Sequence, residues 1–105
     1  MTENIKTELD TIVKTMVNTG LVSKIILFGS QAQGSGTQDS DIDLCALTNI
    51  KDRHPSDITV DLRMELYGIQ KSPLDLFTYN QDEFPEHAKR ATSFEHEIAT
   101  SGVVL

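Results

Sequence analysis

The chain has 105 residues, of which 38% are hydrophobic and 24% charged, a balance typical of one small soluble globular domain. The 16 acidic residues outnumber the 9 basic ones, the net charge is −7, and only 6% of residues are aromatic. This composition disfavours direct binding to nucleic-acid phosphates and bases. Neither a membrane span nor a signal peptide is evident, and Cys45 has no second cysteine with which to form a disulfide. We therefore expect a single cytoplasmic domain over residues 1–105 that binds no membrane.

The first half of the chain predicts one helix and two strands. Apolar residues recur at helical spacing over 3–19, and Gly20 is the expected C-cap. The short apolar run Lys24–Phe28 lies between turn-forming residues and predicts a buried strand. The segment 30–40 is polar and rich in Gly, Ser, Gln and Thr, which predicts a loop. A second strand is expected over 41–47.

The second half predicts two helices and a third strand. A helix is expected to begin at 54–57. Its apolar positions, about four apart, are Ile58, Leu62, Leu66 and Ile69. Alternation over 73–79 predicts the third strand. After Asn80 a single amphipathic helix is expected, ended by Gly102. Its apolar positions are Phe84, Ala88, Ala91, Phe94 and Ile98, and the apolar residues 103–105 could add a short strand.

This order of elements predicts a single small α/β domain with a mixed β-sheet and helices packed mainly on one face. The segment between the first two strands is too short for a crossover, so these strands should be antiparallel. A helix separates the second strand from the third, which predicts a parallel pair with a right-handed crossover.

Two aspartates at the start of the second strand are the strongest chemical signal. Asp41 and Asp43 are two residues apart, so both carboxylates should leave the same face of the strand. Paired carboxylates make a hard oxygen site suited to Mg²⁺ that carries a triphosphate. Gly29 lets a phosphate approach the backbone closely, and Ser30 offers a hydroxyl and an N–H. Taken separately, an Asp-x-Asp sequence and a Gly-Ser pair are both common in turns and strand ends.

Together these residues form the spacing Gly-Ser, ten residues, Asp-x-Asp, and the segment Ser-Asp-Ile-Asp-Leu spans 40–44. In this pattern the chain resembles the minimal nucleotidyltransferases of the DNA polymerase β superfamily over nearly its whole length. The resemblance implies Mg²⁺ as cofactor and ATP as substrate. It also implies a third carboxylate on a later strand, where Asp75 stands between Leu74 and Leu76. Asp75 would complete the metal site with Asp41 and Asp43 and accept a proton, although an aspartate at a strand edge can simply face water.

The sequence departs from the family at two positions. Many members carry arginines where this chain has Gln31 and Gln33, so two groups that could neutralise phosphate are amides here. We still expect Gln33 to contact the nucleotide together with Gly29 and Ser30. The departure bears on catalytic rate more than on fold or metal binding.

The resemblance also implies a biological role. Small members of this family are commonly found beside a HEPN-domain RNase toxin and resemble antitoxins that transfer AMP from ATP to a tyrosine of that toxin. The expected partner is therefore a HEPN-domain toxin in a hetero-oligomer. Two alternatives stay open: an antitoxin that masks its partner without chemistry, and a nucleotidyltransferase that acts on a small molecule.

Overall fold

The computed structural model describes residues 1–37 and 39–105, and these residues form five helices and four strands. The elements in chain order are α1 (Glu3–Asn18), β1 (Lys24–Phe28), α2 (Gly29–Gln33), β2 (Ile42–Thr48), α3 (Pro55–Leu66), β3 (Leu74–Asn80), α4 (Phe84–Ala88), α5 (Phe94–Ser101) and β4 (Val103–Val104). None of the helices in the described residues is both long and apolar enough to cross a bilayer.

The four strands form one mixed sheet in the order β3-β2-β1-β4. Strand β1 is antiparallel to both β2 and β4, whereas β2 and β3 are parallel. The predicted antiparallel and parallel pairs are thus confirmed, and so is the small α/β domain with a mixed sheet. The C-terminal apolar residues do add a strand, in which Val103 pairs with Leu27.

Helices cover both faces of this sheet, but unequally. The long helices α1 and α3 pack on one face, where most of the predicted apolar stripe of α1 is buried against alternate residues of the strands, although Val17 at its end is exposed. The buried side chains of that stripe are Ile5, Leu9, Ile12 and Met16. Burying each side chain of this size stabilises the fold by about 1.5–3 kcal/mol. The short helices α4 and α5 contribute Phe84 and Ile98 to a smaller core on the opposite face, around Cys45.

The single helix predicted after Asn80 is wrong, because the chain forms α4 and α5 with a turn between them. Ser93 ends the turn as the N-cap of α5, and its hydroxyl accepts the backbone N–H of His96 at 3.0 Å. The same hydroxyl donates to the carbonyl of Arg90 at 2.8 Å. Serine favours this capping geometry over a helix interior. Ala91 in the turn is consequently exposed rather than buried.

Other boundaries also differ from the predicted ones. Strand β2 begins at Ile42, so Asp41, which was predicted to open it, lies just before the strand. Helix α3 ends at Leu66, so Ile69 packs against the core from the following loop. The polar segment 30–40 is not entirely a loop, since its first residues continue from Gly29 as the short helix α2. Gly20, predicted as the C-cap of α1, lies one residue beyond the cap Thr19 and has a positive φ of 73°.

Candidate active site

Strand pairing brings the predicted site residues into one row across the sheet. Phe28, the last residue of β1, is the cross-strand partner of Asp43, and Asp43 is in turn the partner of Asp75. Because side chains alternate along a strand, Asp43 shares a face with Cys45, which lies in the smaller core. The row therefore lies on the face opposite to α1 and α3, where β1 ends and β2 and β3 begin.

Gly29 allows the chain to leave β1 beside this row. Its φ is 73°, a backbone conformation that favours glycine. A Cβ atom added to Gly29 would collide with Oδ2 of Asp43. The Asp43 carboxylate is thus seated directly against the Gly29 backbone. Ser30 follows in the first turn of α2 and is half-buried.

The two carboxyl groups at the centre of the row are electrostatically coupled. Burial, together with the hydrogen bond and charge of Asp75 and the charge of Asp41, raises the pKa of Asp43 to about 6, and burial is the largest cause. Protonated Asp43 can donate a hydrogen bond to Asp75, but two ionised carboxylates have no hydrogen to share and repel each other. The repulsion between the two carboxylates decreases when a cation binds between them and neutralises their charge. Asp43 is half-buried, whereas Asp41 and Asp75 are exposed.

The structure assembles the three predicted metal ligands only in part. Within residues 1–37 and 39–105, no group of three or more His, Cys, Asp or Glu side chains is arranged to hold a metal ion. Asp43 and Asp75 lie together, while Asp41 precedes β2 and acts on Asp43 through its charge. Carboxylate oxygens are the donors that Mg²⁺ prefers, so the residues fit this ion chemically. Asp41 would have to move to complete the ligand set.

Gln31 supports the loop that leads to the aspartates. Its side chain is only 2% exposed, and Nε2 donates to the carbonyls of Thr37 at 2.8 Å and Ser40 at 3.3 Å. Its Oε1 atom is buried without a hydrogen-bond partner among the described residues. A Cβ atom at Gly36 would come within 2.6 Å of this amide. Gln31 therefore points into the loop, whereas Gln33 is exposed.

Three aromatic rings beside the carboxylates were missed by the sequence reasoning. Phe94 of α5 contacts Phe28 and Phe77, with ring centroids 5.6 and 5.2 Å apart. Alternation along β3 places Phe77 on the same face as Asp75, a signal that was present in the sequence. The position of Phe94 could not be read in this way, because it depends on how α5 packs over the sheet.

Cys45 lies beneath these rings and is fully buried. Burial, with a smaller contribution from the charge of Glu95, raises the pKa of the Cys45 thiol to about 12. The reactive thiolate is therefore disfavoured, and Cys45 is a residue of the smaller core.

Known proteins share the sequence pattern and the fold of this chain. The family described as "Polymerase beta, Nucleotidyltransferase" matches the chain over residues 10–105. In fold, the chain is similar to a protein from Sulfolobus solfataricus that is described as a candidate nucleotidyltransferase, with a TM-score of 0.64. The sequence identity is 17%, and the match covers 93% of this chain and 76% of that one, so this likeness shows the fold alone. No curated protein matches this chain in sequence.

Proposed function

Because the chain belongs to the polymerase beta nucleotidyltransferase family, we propose that it transfers AMP from ATP to a tyrosine of a HEPN-domain RNase toxin and so acts as an antitoxin. One observation carries the enzymatic part of this proposal: Asp43 and Asp75 face each other in register beside the backbone of Gly29. A like-charged pair of this kind favours a bound cation, and the absence of a Cβ at Gly29 lets the Asp43 carboxylate lie directly against the backbone at the end of β1.

Each site residue has a role in the proposed transfer. Gly29, Ser30 and the exposed Gln33 would contact the triphosphate. Asp41, Asp43 and Asp75 would hold Mg²⁺, which when bound neutralises charge on the phosphates.

In the reaction, the tyrosine oxygen forms a bond to the α-phosphorus of ATP, and the bond from that phosphorus to the oxygen bridging the α- and β-phosphates breaks. Pyrophosphate leaves, and Asp75 accepts the hydroxyl proton. Phosphoryl-type transfer depends mainly on alignment and charge stabilisation, so a small set of residues can suffice.

The exposure of the site supports a macromolecular acceptor. Asp41 and Asp75 are both open to solvent, so a side chain of a folded partner can reach them. The net charge of −7 favours a partner with a basic surface. We therefore propose that the two proteins form a hetero-oligomer in which the partner supplies its tyrosine to the row of carboxylates.

A binding-only antitoxin is the second candidate, and the incompletely gathered carboxylates favour it. Such a protein would neutralise its partner by masking it, and the charge of the three aspartates would serve recognition rather than catalysis. The two candidates differ in whether the partner is covalently changed.

The mass of the partner distinguishes the enzyme from the binding module. We would mix the candidate toxin with ATP, Mg²⁺ and either the parent, Asp75→Asn or Asp10→Asn, and then record the mass and RNase activity of the toxin. Asn keeps the shape of Asp75 but cannot accept the proton. Asp10 is exposed on α1, on the opposite face of the sheet, so Asp10→Asn controls for the loss of one negative charge.

For an enzyme, the parent and Asp10→Asn add AMP to the toxin, and Asp75→Asn does so about 10²-fold more slowly. If the parent leaves the toxin mass unchanged while all three proteins protect equally against its RNase activity, the enzyme proposal fails and the binding-only antitoxin stands.

A further inference from the structure

Two exposed phenylalanines form an aromatic surface next to the carboxylates. Phe77 is 38% exposed and Phe94 is 42% exposed, although large apolar side chains are usually buried when a core is within reach. Their rings meet at 66° with centroids 5.2 Å apart, an edge-to-face arrangement. The buried ring of Phe28 lies behind both, with centroids 6.0 Å from Phe77 and 5.6 Å from Phe94. The contact with Phe28 holds the two exposed rings in place.

This surface is continuous with the proposed triphosphate site. Phe77 follows Asp75 by two residues on β3, so the two Cα atoms are about 7 Å apart and both side chains leave the same face. Phe28 is the strand partner of Asp43 and directly precedes Gly29. The aromatic rings therefore lie directly next to the row of carboxylates on the same face of the sheet. A nucleotide held by its phosphates at Gly29 would have the exposed rings of Phe77 and Phe94 next to its base.

We propose that Phe77 and Phe94 bind the nucleobase of the nucleoside triphosphate. Bases stack on aromatic side chains whatever their identity, because every base has a π face. A purine has a larger ring system than a pyrimidine and stacks over a larger area, so a purine nucleotide should bind more tightly. The net charge of −7 opposes binding of a nucleic-acid strand and favours a single nucleotide whose phosphates are neutralised by Mg²⁺. This inference rests on the proposed function and adds the part of the substrate that these residues recognise.

The test compares ATP with inorganic triphosphate, which lacks the nucleoside. Calorimetry in the presence of Mg²⁺ would measure both affinities for the parent, Phe77→Leu and Phe94→Leu. Leucine keeps an apolar side chain against Phe28 but loses the flat ring. Tyr67→Leu is the matched control, because Tyr67 is 90% exposed just beyond the C-terminal end of α3, which packs on the opposite face of the sheet. Melting temperatures would confirm that all variants fold.

We expect each phenylalanine variant to lose ATP affinity by about 5- to 150-fold, the range that corresponds to stacking of one base. The affinity for triphosphate should stay at the parent value, and Tyr67→Leu should bind both ligands as the parent does. In the parent, ATP and GTP should bind more tightly than CTP and UTP.

The inference is overturned if both variants bind ATP as tightly as the parent, or if ATP binds the parent no more tightly than triphosphate. A loss of toxin affinity with unchanged ATP affinity would instead make the two rings a protein contact. In these cases triphosphate still binds, so the proposed function survives. If neither ATP nor triphosphate binds the parent, the nucleotide site itself is refuted and both proposals fail.

Discussion

Ionisation of Asp43 costs more free energy in the folded protein than in the unfolded chain. Its pKa in the folded protein is about 6, raised by burial and by Asp75 and Asp41. The folded state therefore holds this proton more tightly than the unfolded state, and its contribution to stability is lost as the pH rises from about 4 through 6. Near neutral pH, without metal, the ionised Asp43 should destabilise the fold.

We therefore expect Asp43→Asn to melt at a higher temperature than the parent at pH 7 without Mg²⁺. After a discount for solvent screening of this half-buried group, the effect is on the order of 1 kcal/mol, or about 4–8 °C. Thermal melts from pH 4 to 8 should show the difference shrinking toward pH 4. Mg²⁺ should raise the melting temperature of the parent more than that of the variant. A constant difference across this pH range would contradict the assignment.

Gly29 offers a direct test of how closely the backbone approaches Asp43. Gly29→Ala and Gly20→Ala each place a Cβ at a φ of 73°, which carries the same backbone strain of about 1–2 kcal/mol. Only the Cβ at position 29 meets another group, the carboxylate of Asp43, since open space surrounds Gly20. We expect Gly29→Ala to lower the free energy of unfolding more than Gly20→Ala and to weaken nucleotide binding. Equal losses in denaturant titrations would show that the carboxylate moves aside freely.

The residues of the site were predictable to the extent that they follow strand alternation. Alternation placed Asp43 on its face of β2, whereas Asp75 was expected on a later strand only from the family resemblance, and both residues do lie within strands. The degree to which Asp41 joins them was not predictable, since it precedes β2 and depends on the loop. Burial of Gln31 was equally hidden, because it results from carbonyl groups of the loop that fold over it.

Gln31 and Gln33 both stand where many family members carry arginine, but the short helix α2 and its loop bury Gln31 and leave Gln33 exposed. Gln33 is exposed near the proposed phosphate site, so Gln33→Arg should raise the affinity for ATP with Mg²⁺, because a charged Arg–phosphate hydrogen bond is about twice as strong as a neutral one. Gln31→Arg should instead lower stability by about 1–3 kcal/mol, because it buries a larger charged group and removes the bonds to the loop. Calorimetry and thermal melts would measure both. A gain in affinity from Gln31→Arg without loss of stability would contradict this division.

The antiparallel β1–β2 pair and the parallel β2–β3 pair followed from connection lengths, but the division of the C-terminal helix did not. The short connection between β1 and β2 and the helical one between β2 and β3 leave few possible topologies. Periodicity, in contrast, continues across the turn between α4 and α5 and conceals it. The capping hydroxyl of Ser93 decides where α5 begins, and capping is a local interaction that apolar spacing does not report.

The net charge of the whole molecule opposes binding of a nucleic-acid strand. With a net charge of −7, we expect no measurable affinity for a labelled single-stranded oligonucleotide at about 50 mM salt, where electrostatic binding would be strong. Fluorescence anisotropy should stay constant up to roughly 100 μM protein, the weak end of ordinary non-specific binding. A micromolar dissociation constant that weakens with added salt would show that a local basic surface outweighs the overall charge.

Parallel pairing of β2 with β3 also determines when the like charges of the site meet during folding. The antiparallel β1–β2 pair is joined by a short connection, whereas Asp75 reaches Asp43 only after the α3 crossover has closed a longer loop. Repulsion between the two carboxylates is therefore expected late, after the folding transition state. A cation that relieves a late-forming repulsion slows unfolding and leaves the folding rate nearly unchanged. A bound cation would thus increase the kinetic stability of the native sheet.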